Sequence, residues 1–529
     1  MVDAIMEDVP DLPVLLKASA EFASYPGQHS DASVKEFLDR FPLPLIFSAL
    51  SLKSDVPGLE SSLVSCLEMI FGTKYGISHV PEYMPFVCVG LSAQSQAVRC
   101  LACKAVANFL ENDCTDGKAA ELANSHGAYP LLIDCLLHGD ERVSASSIKA
   151  IINLSKTAPG IGVIFPTDGD DPTHLKNVVE HSSSSARIRV FSLIAKLFST
   201  SAAASAIHSS GLLDLLVAEV KNSNDVLMTL STLEVLYEVA SSPHGTQYLL
   251  KTTLLQLLTS LIRNSAESVL RSRAIMICGR LLSSDDMFTI IGESTPIVSG
   301  IGDALSAING ILENLESEDS DECSSAIDSL GQIGASSEGA ELLFSSSLPM
   351  VKHVIEAAFR RKDRSKQLAA LHALGNIVGE GRPADRKLLS DPSEERLRQL
   401  IYETVSSSSK LTPSGLLLSV LQQDPEIRLA AYRVITGLVV RSWCLLEVCL
   451  KHEIIDIITD AYSETTKYGM EVRHECCLAI ANALATQRDL DEPSLSGVAS
   501  KVQEAVRRGP YHGKKRAEAQ PVVVPAERF

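Results

Sequence analysis

The chain has 529 residues, long enough for several ordinary domains or for one long repeat array. It is 45% hydrophobic and 21% charged but only 5% aromatic, with Trp443 its single Trp, which is poor material for an all-β core and ordinary for packed helices rich in Leu, Ala and Val. A formal net charge of −18 argues against a general nucleic-acid binder, whose face must neutralise phosphates, and leaves protein partners open.

Met1 to Pro10 carry three acidic residues and no Lys or Arg ahead of a hydrophobic stretch, so no secretory leader is expected. The most hydrophobic stretch, Val434 to Leu450, contains Arg441 and Glu447 and falls short of a membrane span, so a soluble protein with no membrane partner is expected. Twelve cysteines with no leader suit a reducing compartment, where Cys acts as a small buried hydrophobe. This points to the cytoplasm, with the nucleus as the alternative.

Residues 1–60 read as N-terminal capping helices, and residues 61–508 as a repeat array. A polar residue recurs among apolar ones near the end of a helical pattern at Asn108, Asn153, Lys196, Glu238, Arg280, Gln332, Asn376 and Asn482, and Gly437 occupies the same slot. The steps between these positions are 45, 43, 42, 42, 52, 44, 61 and 45 residues, which gives nine units of about 42 to 45 with two insertions. Each unit opens on polar helix-start chemistry, as in Asp140-Glu141-Arg142-Val143 or Asp424-Pro425-Glu426-Ile427-Arg428. Apolar residues such as Leu429, Val434 and Leu438 follow at helical spacing. Gly160, Gly245 and Gly339, seven residues past the slot, are expected to end one helix and turn the chain. Gly127 and Gly211 are expected to open a second helix.

The insertions lie near residues 292–322 and 380–415. The first contains Glu313, Glu316, Glu318, Asp319, Asp321 and Glu322, which read as a solvated acidic loop. The second predicts an extra helix from about Ser393 to Thr404 between loops rich in Pro and Ser. Residues 509–529 lose helical periodicity and read as an extended or disordered tail, in which Lys514-Lys515-Arg516 is a short basic run.

No catalytic signature emerges. Cys100-Leu101-Ala102-Cys103 has zinc-site spacing but only Cys114 and His126 nearby, and it falls on the packed side of a helix, where core cysteines are expected. His474-Glu475-Cys476-Cys477 lacks the second His of HExxH. Gly300-Ile301-Gly302 follows no strand and lacks the third Gly of a dinucleotide loop, and no GxSxG elbow occurs. No cofactor and no metal are expected, and the chain reads as a non-enzyme.

A unit of this length, with Gly-x-x-Pro/Asp-x-Leu opening one helix and Ala-Leu-x-Asn-Leu closing another, resembles the armadillo/HEAT class. That resemblance implies an all-α, right-handed superhelical solenoid of about nine to eleven helical repeats, with the polar slots forming a ladder along its concave face. Such a polar residue can instead bond the backbone of a neighbouring unit and never meet a partner. Three further segments sharpen the likeness: Ser242-Pro243-His244-Gly245-Thr246-Gln247-Tyr248-Leu249, then Asp328-Ser329-Leu330-Gly331-Gln332-Ile333-Gly334 with Glu338-Gly339, and finally Arg508-Gly509-Pro510-Tyr511. In that order, and with Trp443 placed after Pro425-Glu426-Ile427-Arg428, they resemble the 26S proteasome non-ATPase regulatory subunit 5 family. The resemblance implies a monomeric, non-catalytic chaperone that binds the C-terminal domain of one base ATPase subunit, escorts base assembly intermediates and is absent from the finished particle. The expected grip is Lys196, Glu238, Arg280, Gln332 and Asn376. A generic armadillo scaffold and an import-type peptide adaptor are the alternatives, though the adaptor's Trp ladder is missing here.

Overall fold

The computed structural model describes residues 12–51, 56–112, 117–166, 174–222, 225–242, 244–284, 287, 295–313, 320–408, 410–486 and 493–511. Among these residues every regular element is a helix and no strand occurs, so the fold is the all-α helical-repeat class expected. No single described helix is long and apolar enough to cross a membrane. The contacts divide the chain into two compact units, Met1–Leu254 and Leu255–Phe529.

In the first unit the slot-bearing helices are Gln96–Asn112, Glu141–Leu154, Ser184–Leu197 and Val226–Ser241, and each packs on the next. Glu141–Leu154 shows why the segments fold this way. The Asp140 carboxylate caps the helix by accepting from the Val143 amide at 2.9 Å. Val143, Ser147, Ala150, Ile151 and Leu154 then repeat every three or four residues on the buried face. The second helix of the repeat, Ala128–His138, covers that stripe with Leu132, Ile133 and Leu136 after a left-handed turn at Gly127, whose φ is +69°. Gly211, at φ +75°, makes the same turn before Leu212–Asn222.

In the second unit the corresponding helices are Ser268–Leu282, Ser320–Ile333, Arg364–Ile377, Pro425–Leu438 and Lys467–Thr486, again packed in sequence. Pro425–Leu438 buries Ile427, Ala430, Val434, Ile435 and Leu438, so Ile427 leads the buried stripe while Leu429 is only half-buried. The insertion ahead of it carries the helix Asp391–Ser407. The acidic segment departs from a solvated loop. Glu322 lies in the first turn of Ser320–Ile333, is fully buried, and pairs with Arg271, whose Nε donates to it at 3.0 Å. Glu316, Glu318 and Asp319 lie outside the described residues, as does most of the 509–529 tail.

The glycines seven residues past the slot do something other than end a helix. Gly160 and Gly339 sit in the first turn of the next short helix, where their amides donate to the capping hydroxyls of Thr157 at 3.2 Å and Ser336 at 3.0 Å. Gly245 opens its own short helix. None of the three has positive φ. A Cβ at Gly160, Gly245 or Gly339 would stand 1.8, 1.8 or 1.9 Å from the carbonyl oxygen of Leu154, Val239 or Ile333. Glycine is therefore required because the new helix starts against a carbonyl in the last turn of the old one, and left-handed backbone plays no part. Gly76 repeats the arrangement against Ile70, with Thr73 as its cap.

Candidate partner-binding ladder

Each polar slot lies in the last turns of its helix, where backbone carbonyls lack intrahelical donors and the helix dipole is negative. Donors at that level are drawn to the neighbouring repeat's carbonyls, and the ladder divides accordingly. In the first unit Asn153 is buried and its Nδ2 donates to Ala107 O at 2.9 Å. Asn108 Nδ2 donates in the same way to Phe71 O at 3.1 Å. These two are staples between repeats. Lys196 and Glu238 are exposed near the ends of their helices.

Beside Asn108 a groove of about 330 Å³ runs over Ala107, Ala145 and Ser146 between Lys104 and Lys149. Both lysines are already paired, Lys104 with Glu68 at 2.7 Å and Lys149 with Glu111 at 3.0 Å. Lys149 holds the Glu111 carboxyl below its usual pKa. Exposed pairs of this kind contribute about 1 kcal/mol or less to stability and remain open to exchange with a partner's charges.

In the second unit Arg280 is exposed in the last turn of its helix. Asp328, one turn before Gln332, is open to solvent on one side yet crowded by its surroundings, and this desolvation pushes its carboxyl pKa up. Neither Arg280 nor Asp328 forms an ion pair among the described residues. Gln332 is half-buried, and its Oε1 has no donor among them. Asn376 is half-buried and engaged within the chain, since its Oδ1 accepts from Arg433 Nη2 at 3.2 Å. Arg433 also donates to Glu380 at 2.9 Å and lies 3.0 Å from His372 Nδ1. Burial first, then the Arg433 charge, lower the His372 pKa and favour the neutral ring. Asn482 is exposed. Gly437 fills its slot because a Cβ there would stand 2.5 Å from Val378 Cγ2. Gly279 and Gly331, one residue ahead of the slots, allow equally close approach to Ser329 and Ala373.

Two arginines that the repeat pattern does not flag hold the slot-bearing helices of this unit together. Arg382 lies in what reads as an insertion loop, yet it is buried and donates to Gly334 O, Ala335 O and Ile377 O at 2.5, 3.0 and 2.8 Å. Desolvation pushes its pKa down to about 10. Arg441 donates to Val378 O and Gly437 O at 3.1 and 2.9 Å and grips both oxygens of Glu394 at 2.7 and 2.9 Å. Their only sequence signal is an isolated Arg shortly after a helix end.

The insertion helix supplies Tyr402 to a cavity of about 440 Å³ shared with Trp443, Leu446, Glu447 and Leu450. Among the described residues no three His, Cys, Asp or Glu side chains converge on a metal position. The exposed ladder groups can form hydrogen bonds and ion pairs from rigid helix faces, which is the chemistry of recognition.

A family model described as proteasome non-ATPase 26S subunit matches residues 62–526. The 26S proteasome non-ATPase regulatory subunit 5 proteins of Bos taurus and Homo sapiens are each 23% identical over 433 residues, covering 80% of this chain and 80% of the relative. Among solved structures, an engineered protein aligns with a TM-score of 0.41 at 16% identity, covering 87% of this chain and 98% of its own.

Proposed function

Because this chain belongs to the proteasome non-ATPase 26S subunit family, we propose that it is a non-catalytic chaperone for assembly of the 26S proteasome regulatory particle base. In this reading it binds the C-terminal domain of a base ATPase subunit in the cytoplasm, as a monomer, and leaves before the mature particle forms. The observation that carries the reading is the family match across residues 62–526, which spans nearly the whole repeat region. The contacts are Lys196 and Glu238 in the first unit and Arg280, Gln332 and Asn376 in the second. Lys196, Glu238 and Arg280 support it by standing exposed at the slots. Charges held on packed helices lose little conformational freedom on binding, so complementary groups of a partner meet a prepared surface.

The test is capture of base ATPase C-terminal domains by the full chain and by the Glu238→Lys, Arg280→Glu double variant. At about 1 kcal/mol for each reversed contact, capture should weaken roughly tenfold or more while helicity by circular dichroism stays unchanged. Undiminished capture would remove these two residues from the contact. Affinity purification of the wild-type chain separates the broader alternatives. Base ATPases recovered without core-particle subunits support an assembly chaperone, whereas stoichiometric core particle identifies a resident subunit.

A further inference from the structure

The helix Ser442–Leu450 is apolar on two faces, and packing against the rest of the repeat uses only one of them. Cys444, Leu445, Val448 and Cys449 are buried in the core. Trp443, Leu446, Glu447 and Leu450, at the i, i+3, i+4 and i+7 spacing of a single helix face, line the cavity of about 440 Å³ together with Tyr402 of the insertion helix. Leu450 is 51% exposed and Tyr402 37%, so this wall is open to solvent. The Tyr402 and Trp443 rings stand 6.1 Å apart between centroids and are tilted by 53°, which leaves a wedge with two π faces in place of a closed stack.

Glu447 is the one carboxylate lining this cavity, and its two oxygens are used unequally. Oε2 caps the start of the helix Pro413–Leu421, accepting from Ser414 N at 3.3 Å and from Ser414 Oγ at 2.8 Å. Oε1 accepts a single long bond, 3.4 Å, from the Tyr402 hydroxyl. Glu447 forms no ion pair among the described residues. Lys451 also lines the cavity, but its Nζ is held by Glu453 at 3.2 Å. Arg398 lies over the Tyr402 ring at 5.9 Å, while among the described residues no cation lies over Trp443.

We propose that this cavity receives a basic side chain, lysine or arginine, from a segment of a partner protein. The aliphatic stem of such a side chain lies along Leu446 and Leu450 while its charged head meets the Trp443 face and Glu447 Oε1, so its apolar body and cationic tip match the lining in turn. A purely apolar side chain would cover Glu447 Oε1 and leave its lone pairs without a donor, and an acidic one would be repelled by it. Because Oε2 stays on its cap, the receiving oxygen is in position before the ligand arrives. None of the ladder residues lines the cavity, so capture of an ATPase domain and occupancy of this site can succeed or fail separately.

Trp443 is the single Trp, so its emission in the full-length chain reports this site alone. The probes are short blocked Gly-Ser peptides with one central Arg, Lys, norleucine or Glu, and free spermidine. Expected are saturable emission changes with the Arg and Lys peptides that weaken as salt is raised, and none with the norleucine and Glu peptides. Glu447→Gln, which keeps an oxygen for the Ser414 cap, should weaken binding of the Arg peptide about tenfold, and Tyr402→Leu about twofold to fivefold, with helicity matching wild type. An equal response to the norleucine peptide overturns the proposal by making the cavity an apolar slot. A response to the Glu peptide overturns it by making Lys451 the recognition group, and spermidine binding as tightly as the Arg peptide overturns the protein source. No saturable change with the Arg and Lys peptides also overturns it, because the charged head would lie on the Trp443 ring. All four outcomes are read on the wild-type chain and stand whether or not a variant folds.

Discussion

Replacing Gly339 with Ala pits helix propensity against the junction geometry, and the two make opposite predictions. In an exposed helix Ala is favoured over Gly by about 1 kcal/mol. At Gly339 the new Cβ would stand 1.9 Å from Ile333 O and 2.9 Å from Ile333 C, with Ser336 Oγ also at 2.9 Å. Ordinary contacts need more than 3 Å, so one helix end must retreat by about 1 Å or more, taking the Ser336 cap with it. Overpacking of this kind costs about 1–3 kcal/mol and a lost cap about 1 kcal/mol more. After the propensity gain, a net loss of about 1–3 kcal/mol remains. Gly302→Ala is the control in the same unit, because Gly302 is exposed inside Thr295–Glu313 with nothing within 4 Å of a built Cβ. It should gain about 0.5–1 kcal/mol. Thermal unfolding at about 2–4 °C per kcal/mol should separate the variants in opposite directions from wild type. A Gly339→Ala protein as stable as wild type would refute the claim that the junction excludes a side chain.

Asn153→Ala removes the buried hydrogen bond between repeats to Ala107 O and should cost about 1–2 kcal/mol in guanidinium unfolding while leaving ATPase capture intact; a loss of capture by the folded variant would move Asn153 from staple to contact. Arg441→Met leaves Glu394 and two carbonyls without their donor, with an expected loss of about 3–5 kcal/mol by denaturant titration. A cost under about 1 kcal/mol would show that the network is dispensable. His372 has its pKa lowered by burial and by Arg433, so below about pH 6.5 the unfolded chain binds a proton that the folded chain resists, and stability falls with pH. The urea midpoint should therefore drop less between pH 7 and pH 5 in His372→Gln than in wild type, and an identical drop would remove His372 from the acid response.

Much of the helical framework is legible because a solenoid writes its packing locally. The Asp140 and Asp424 caps, the stripes behind them and the return of the slot every 42 to 45 residues all depend on residues within one helix or its neighbour. The insertion helix was legible for the same reason, Asp391 and Pro392 at its start and apolar residues at helical spacing after them. Gly339 reads as a helix-ending turn because a turn glycine and a close-contact glycine look alike in sequence; only the position of Ile333 O tells them apart. Glu322 reads as loop charge because its buried partner, Arg271, lies 51 residues away.

The amino-acid sequence by itself determined an all-α repeat, its period, the slot positions and the family resemblance, since these follow from helical periodicity and short motifs. The tertiary structure decided what each slot does. Asn153 meets the carbonyl of Ala107, Asn376 meets Arg433, and Glu238 and Arg280 remain open to solvent, although all four occupy equivalent places in the repeat. The physical reason is that a polar group near a helix end is bound or available according to the donors and acceptors the adjoining helix brings within about 3 Å, and that is settled by packing between repeats.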